Sequence, residues 1–363
     1  MKNVPKLRFS GFSDEWEEKK IGQTLKIRHG KDQKSVICEN GKYPILATGG
    51  EIGRTDIPLY NKESVLIGRK GTIDRPVYMN SPFWTVDTLF YSEINNSNFP
   101  KFIFYKFQCI NWKMYNEASG VPSLSASTIE NIKYKLPPKN EQEKIANFLT
   151  KVDKLIEKQE EKVGNLEQYK KGMMQKIFSQ EIRFKKDNGG EYPKWEETTI
   201  GEVCTINTGN KDTQDREEGG TYPFFVRSQI VERINSYSYD GEAILTAGDG
   251  VGVGKVFHYV NCKFDYHQRV YKLSDFNGVT GRFLFEYFSD NFKREVAKYN
   301  AKTSVDSVRL EMITKMKMPL PCIEEQTKIA NFLSKIDSIV EKEKEKLEEL
   351  RVWKKGLLQG MFI

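Results

Sequence analysis

The sequence predicts an α+β (mixed α/β) protein. Two globular heads are separated by two long antiparallel helices in a pseudo-twofold internal repeat. Three observations carry this. "EQEKIANFL" (141–149) returns as "EQTKIANFL" (325–333), eight of nine letters unchanged at an offset of 184 (325 − 141). "WEEKKIGQ" at Trp16 answers "WEETTIGE" at Trp195, an offset of 179 (195 − 16) that Gly30/Gly209 and Tyr43-Pro44/Tyr222-Pro223 share. Each repeat then closes on a heptad-spaced run ending "YKKGMMQKIF" (169–178) or "WKKGLLQGMF" (353–362). The expected boundaries are a first head at 1–140, a helix at 141–178, a second head at 179–324 and a second helix at 325–363.

Within each head, short β-type runs such as "SVLIG" and "TLFYSEI", or "EAILTAG" and "QRVYKL", alternate with turn clusters. Aromatic-rich helices follow, "FPKFIFYKFQCINWKMYNEA" and "VTGRFLFEYFSDNFKREVAKYNA", whose Phe and Tyr at helical spacing belong in the core. Between the shared ends the two heads diverge, so they keep a frame and vary its middle.

The helices carry the clearest period. Val152, Ile156, Gln159, Val163, Leu166, Lys170, Met173 and Ile177 form one seam; Ile336, Val340, Glu343, Leu347, Leu350, Lys354, Leu357 and Met361 form the other. Neither can bury its seam alone, so each is expected to pair with the other. An antiparallel register that matches every apolar position places Val152 on Met361, Ile156 on Leu357, Lys170 on Glu343 and Gln159 on Lys354. Asn140 with Glu143 is the expected capping box of the first helix.

Composition bounds the function. The chain has 363 residues, 38% hydrophobic and 29% charged. No apolar run approaches the roughly 18–20 residues of a membrane span, and the start lacks a secretory core; a cytoplasmic protein is expected. Five scattered cysteines without a Cys-x-x-Cys spacing argue against a disulfide framework and a zinc site. The net charge of +7 tilts the chain toward polyanionic partners.

Candidate nucleic-acid contacts are basic residues beside glycine-rich turns: Arg54, Arg69, Lys70 and Arg75 in the first head, and Arg227, Lys255 and Arg269 in the second. Gln268, between His267 and Arg269, could read base edges, with Asp87 and Thr88 at the matching place. Ser123 and Ser125 in "SGVPSLSAS" suit phosphate contact, or simply connect helix to strand; "TSVDSVRLE" is their counterpart.

Catalytic motifs fail on counting. "GDGVGVGK" (248–255) has Asp249 where a phosphate loop needs Gly and Val256 where it needs Ser or Thr. "NSPFW" (80–84) only faintly echoes the Asn-Pro-Pro-Tyr motif of amino-methyltransferases. Three histidines cannot assemble a triad or metal cluster with the residues around them. No catalytic residue and no metal ligand is assigned.

Taken together, "W.....IG" entering each head, "SLSASTIENIKYKLPPKNEQEKIANFLTKVD" and "LEMITKMKMPLPCIEEQTKIANFLSKID" resemble the specificity subunit of type I restriction–modification enzymes along essentially the whole chain. The resemblance implies that each head is a target recognition domain reading one half of a bipartite, asymmetric sequence in double-stranded DNA. It also implies that the helices set the half-site spacing and dock two modification subunits, which bring S-adenosylmethionine and methylate adenine. Restriction subunits, when added, use ATP and magnesium to cleave. None of these cofactors would be bound by this chain. The rival reading is a coiled-coil scaffold without a sequence-reading role.

Overall fold

A computed structural model describes residues 4–300 and 307–363; Thr303–Asp306 of the second head's "TSVDSVRLE" loop lies outside them. The chain divides into two compact units, residues 1–161 with 344–363, and residues 162–343. Each unit thus holds one head with a part of each long helix.

In unit 1 the Trp-Glu-Glu motif forms strand Glu17–Lys20, antiparallel to Lys133–Leu136, so the head's first and last strands close on each other. The same closure recurs in unit 2 between Glu196–Thr199 and Lys317–Leu320. Leu25–Arg28 reads apolar-polar-apolar-polar, and its Leu25 and Ile27 are buried while Lys26 and Arg28 face out, the period-2 rule of a half-buried strand. It edges a four-stranded sheet running Leu25–Arg28, Leu89–Ile94, Ser64–Gly68, Val77–Met79. A second four-stranded sheet contains Tyr43–Ala47 parallel to Trp84–Thr85. Unit 2 merges these layers into one six-stranded sheet, because the hairpin Tyr239–Ala247/Phe257–Tyr266 is long enough to join them.

Helix α1 (Pro100–Gln108) and short α2 (Ala126–Asn131) complete the first head, and α3 (Lys139–Phe178) follows. Unit 2 adds a short α4 (Ile200–Val203), α5 (Gly281–Asn300), α6 (Leu310–Thr314) and the long α7 (Ile323–Met361). The aromatic spacing resolves as core: Phe102, Tyr105 and Phe107 of α1, and Phe283, Phe288 and Phe292 of α5, are fully buried.

The repeated "EQ" has a structural reason. Glu141 is fully buried and accepts two hydrogen bonds from Arg8, both 2.8 Å. Glu325 is buried likewise, accepting from Arg183 at 3.2 and 2.6 Å and from Trp195 Nε1 at 2.8 Å. The next residue stitches head to helix: Gln142 accepts from Phe99 N and donates to Pro137 O, as Gln326 does with Thr280 N and Pro321 O. α3 begins at Lys139, one residue before the expected cap, and Asn140 Oδ1 accepts from Glu141 N at 2.9 Å inside the first turn.

The helices run antiparallel within each unit, but the expected register is wrong. In unit 1 Lys354 meets Asp153 at 2.7 Å, six residues before the expected Gln159. In unit 2 Lys170 meets Asp337 at 2.6 Å, six residues before the expected Glu343, and Glu343 takes Lys162 at 2.7 Å. A slide of about one heptad still sets seam on seam, but it places Lys170, Glu343 and Lys354 opposite apolar positions, and residues beside the seam take their charges instead. Val152, Val163, Ile177, Ile336, Val340, Glu343, Leu347 and Met361 are buried, while Ile156, Leu166, Lys170, Met173, Leu350 and Leu357 are half-buried.

Gly30 and Gly209 hold one place in both heads. A Cβ on Gly209 would stand 1.9 Å from Tyr266 O, and one on Gly30 2.2 Å from Val86 O. Both obstacles are backbone, so neither can yield without moving a strand. Gly209→Ala is expected to destabilise unit 2 by about 2–3 kcal/mol in denaturant unfolding. Gly120→Ala, which meets nothing within 4 Å, should change stability by under ~0.5 kcal/mol. Equal effects would refute the steric account.

Candidate nucleic-acid interface

In unit 1 three segments meet at the end of the buried strand Ser64–Gly68. Arg69 N donates to Thr88 O (2.9 Å), and Leu124 N donates to Arg69 O (2.9 Å). The Arg69 guanidinium donates to the Asp87 carboxylate. Lys70 is exposed and bridges to Ser123 through the backbone. An open cleft of about 430 Å³ results, lined by His29, Arg69, Lys70, Glu117, Ser123 and Ser125. Ser125 is committed within the fold: its Oγ accepts from Thr128 N at 3.1 Å as the α2 cap and donates to Glu117 at 2.8 Å. Hydrogen bonds from the Thr128 and Ser125 hydroxyls hold the Glu117 carboxyl below its usual range.

Unit 2 builds the same junction from different side chains. Gly248 N donates to Arg269 O (2.8 Å), and Val308 N donates to Gly248 O (2.8 Å). Asp249 bridges to Ser307 through the backbone, as Lys70 does to Ser123. The Asp249 carboxylate accepts from Arg227 at 2.9 Å and Arg269 at 2.6 Å. Burial pushes its pKa up, but the two guanidiniums outweigh this and hold it below the usual range. Arg227, Arg269 and Lys255 are exposed.

Three expected contacts, Arg54, Arg75 and Gln268, make other bonds or stand elsewhere. Arg54 is a turn clamp: Nε donates to Gly41 O (2.7 Å), one Nη to Lys42 O (2.9 Å) and the other to Glu51 (2.8 Å). Arg233 does the same in unit 2 with Gly220 O (2.9 Å) and Thr221 O (2.8 Å). Comparing positions 54 and 233 at the common offset of 179 would have shown that this arginine belongs to the frame. Arg75 is exposed beside Asp74 and does not line the cleft. Gln268 is tied to Asp212 at 3.0 Å. His267 is buried, its Nδ1 accepting from Arg269 N at 2.9 Å. The sequence reading also missed the acids Asp87 and Asp249 as partners of the arginines it selected.

Residues 13–167 and 192–351 match the family described as the type I restriction modification DNA specificity domain. The chain belongs to this family. A type I restriction enzyme MjaVIII specificity subunit from Methanocaldococcus jannaschii is 27% identical over 384 residues, covering 93% of this chain and 90% of that one. The EcoDI specificity subunit from Escherichia coli is 30% identical over 164 residues, 45% of this chain and 36% of that one. The crystal structure of a type I S subunit from M. genitalium shares the fold, with a TM-score of 0.68 at 18% identity over 99% of both chains. A second structure, from work on complex assembly and conformational transition of the type I system, has a TM-score of 0.54 at 16% identity, covering 94% of this chain and 96% of that one. The mixed helix-and-sheet fold expected from the repeat is thus the family's fold. Among the described residues, no helix is long and apolar enough to cross a membrane.

Proposed function

We propose that this chain is the non-catalytic DNA-reading subunit of a type I restriction–modification complex. Residues 1–140 and 179–324 act as target recognition domains, each reading one half of a bipartite, asymmetric sequence in double-stranded DNA. Residues 141–178 and 325–363 are the spacer segments, and two modification subunits dock on the repeated parts of the chain. Those subunits supply S-adenosylmethionine and methylate adenine; restriction subunits add ATP- and magnesium-dependent cleavage. The reaction takes place in the cytoplasm.

One observation carries this reading. The two heads keep the same three-segment backbone junction but arm it differently, with Arg69, Lys70 and Asp87 in one and Arg227, Asp249 and Arg269 in the other. Arginine forks suit base edges with two acceptors. A frame repeated with altered polar side chains is what reading two different half-sites requires.

The test is methylated-adenine mapping in cells that express the modification subunit with and without this chain. A two-part motif that is absent from the control is expected, and exchanging residues 179–324 for another such head should change one half only. An unchanged motif after exchange would leave the chain a scaffold.

A further inference from the structure

Both arginine-bearing junctions contain a carboxylate, although a polyanionic ligand repels one. In unit 2 Asp249 is largely enclosed, its side chain 15% exposed, and takes both Arg227 and Arg269. In unit 1 the exposed Asp87 takes Arg69. The equivalent backbone hydrogen bonds align Arg69 with Gly248 and Thr88 with Arg269. On that alignment the polarity of the pair is exchanged. The arginine of unit 1 comes from the segment that supplies the acid in unit 2, and the acid of unit 1 from the segment that supplies Arg269. Each partner also moves one residue along its segment. A salt bridge kept only to hold the turn would need no such exchange, since the backbone bonds that define the turn are the same in both heads. What both heads retain is an arginine fixed by an acid at this junction.

We propose that Asp249 and Asp87 are positioning residues for sequence readout. Each fixes its arginine forks so that they meet a base edge with two acceptors, the major-groove face of guanine, instead of swinging to the phosphates. The inference rests on the DNA-reading function proposed above. A free arginine binds phosphate through charge alone, with no sequence preference. Each guanidinium is held to its acid through one Nη alone, which tethers the fork at the junction and leaves its other N–H groups for a bidentate contact to guanine. Anchored arginines therefore give up some general affinity for discrimination. Because the acid sits on opposite segments in the two heads, each head presents its forks differently, consistent with different half-sites.

The experiment uses the full chain assembled with its modification subunit and a DNA library randomised over both half-sites, read by adenine methylation. For Asp249→Asn, the preference at a base of one half-site should fall about tenfold, while the other half-site is unchanged. Binding to DNA lacking the site should hold or strengthen, because one negative charge is lost. Asp249→Glu should restore part of the preference. Asp87→Asn, at an exposed side chain where folding is not at stake, should degrade the opposite half-site alone. Arg269→Lys keeps the charge and removes the fork, and should reproduce the relaxed base preference if Asp249→Asn fails to fold. The proposal is overturned if these variants lower methylation uniformly across sequences, or leave every base preference intact while the wild type shows a clear two-part motif. A wild type with no motif would instead overturn the DNA-reading function itself.

Discussion

Glu325→Ala is expected to destabilise unit 2 by about 3–5 kcal/mol, the loss typical of breaking a buried ion pair from one side. Glu325 is fully buried, and its removal strands the Arg183 guanidinium and the Trp195 indole N–H together. The measurement is chemical denaturation followed at Trp195, with the denaturant slope checked for a second transition. Arg183→Met combined with Glu325→Leu should recover most of the loss, because no charge is then left in an apolar site. Glu141→Ala should repeat the result in unit 1 through Arg8, which makes the same bidentate contact. A loss under ~1 kcal/mol would show that the Arg183 guanidinium and the Trp195 N–H find other partners once the carboxylate is gone, and that the buried pair does not hold the head to the helix.

The sequence made the frame legible because the frame is what the repeat copies. Heads, long helices and the Trp-Glu-Glu entry to each head follow from paired positions at offsets of 179 and 184, and the aromatic cores from helical spacing. The same comparison, carried further, would have reached more. "LRF" at 7–9 answers "IRF" at 182–184. Behind that likeness lie the Arg8–Glu141 and Arg183–Glu325 pairs, and the ring contacts Phe9–Phe148 and Phe184–Phe332 at 5.6 and 5.7 Å. Near-identity at "EQ.KIANFL" thus reflects, at Glu141 and Gln142, groups that close the head upon the helix.

Other features were not legible, for physical reasons. The helix register escaped because a heptad repeat is periodic, so a slip of one period still sets seam on seam, and pairing the polar seam residues with each other, Lys170 with Glu343 and Gln159 with Lys354, is not what fixes it. The polar contacts decide it, and these involve residues off the seam such as Asp153 and Lys162. The interface escaped in part because a basic residue near a glycine turn can serve the turn. Arg54 binds two backbone carbonyls, whereas Arg69 binds the carboxylate of Asp87. Nothing local in the sequence separates these roles. Distinguishing them needs the fold, which brings Asp87 to Arg69 and Asp249 to Arg227 across gaps of 18 and 22 positions.

Lys170→Met is expected to be the second costly substitution, and its cost should grow with pH. Lys170 meets Glu286 at 2.9 Å and Asp337 at 2.6 Å, with Arg282 reaching both acids at 2.9 Å. This network ties α5 to both long helices inside unit 2. Unit 1 holds the corresponding place with Tyr105, whose hydroxyl donates to Asp153 at 2.6 Å, and with Lys354 on the same acid. At this place unit 2 therefore carries a carboxylate where unit 1 has a phenol, and Glu286 is fully enclosed. Burial raises its pKa, opposed chiefly by Lys170. Removing Lys170 raises it further. The folded state then holds a proton that the unfolded state releases above its ordinary value of about 4.3. Stability must fall as pH climbs from there through the folded pKa. The expected loss is about 3–5 kcal/mol at pH 8 and clearly less at pH 5, measured by urea unfolding at both. Lys170→Met with Glu286→Tyr, which copies the unit 1 residue, should remove most of the pH dependence. A loss that is equal at the two pH values would show that the lysine acts through its aliphatic packing alone.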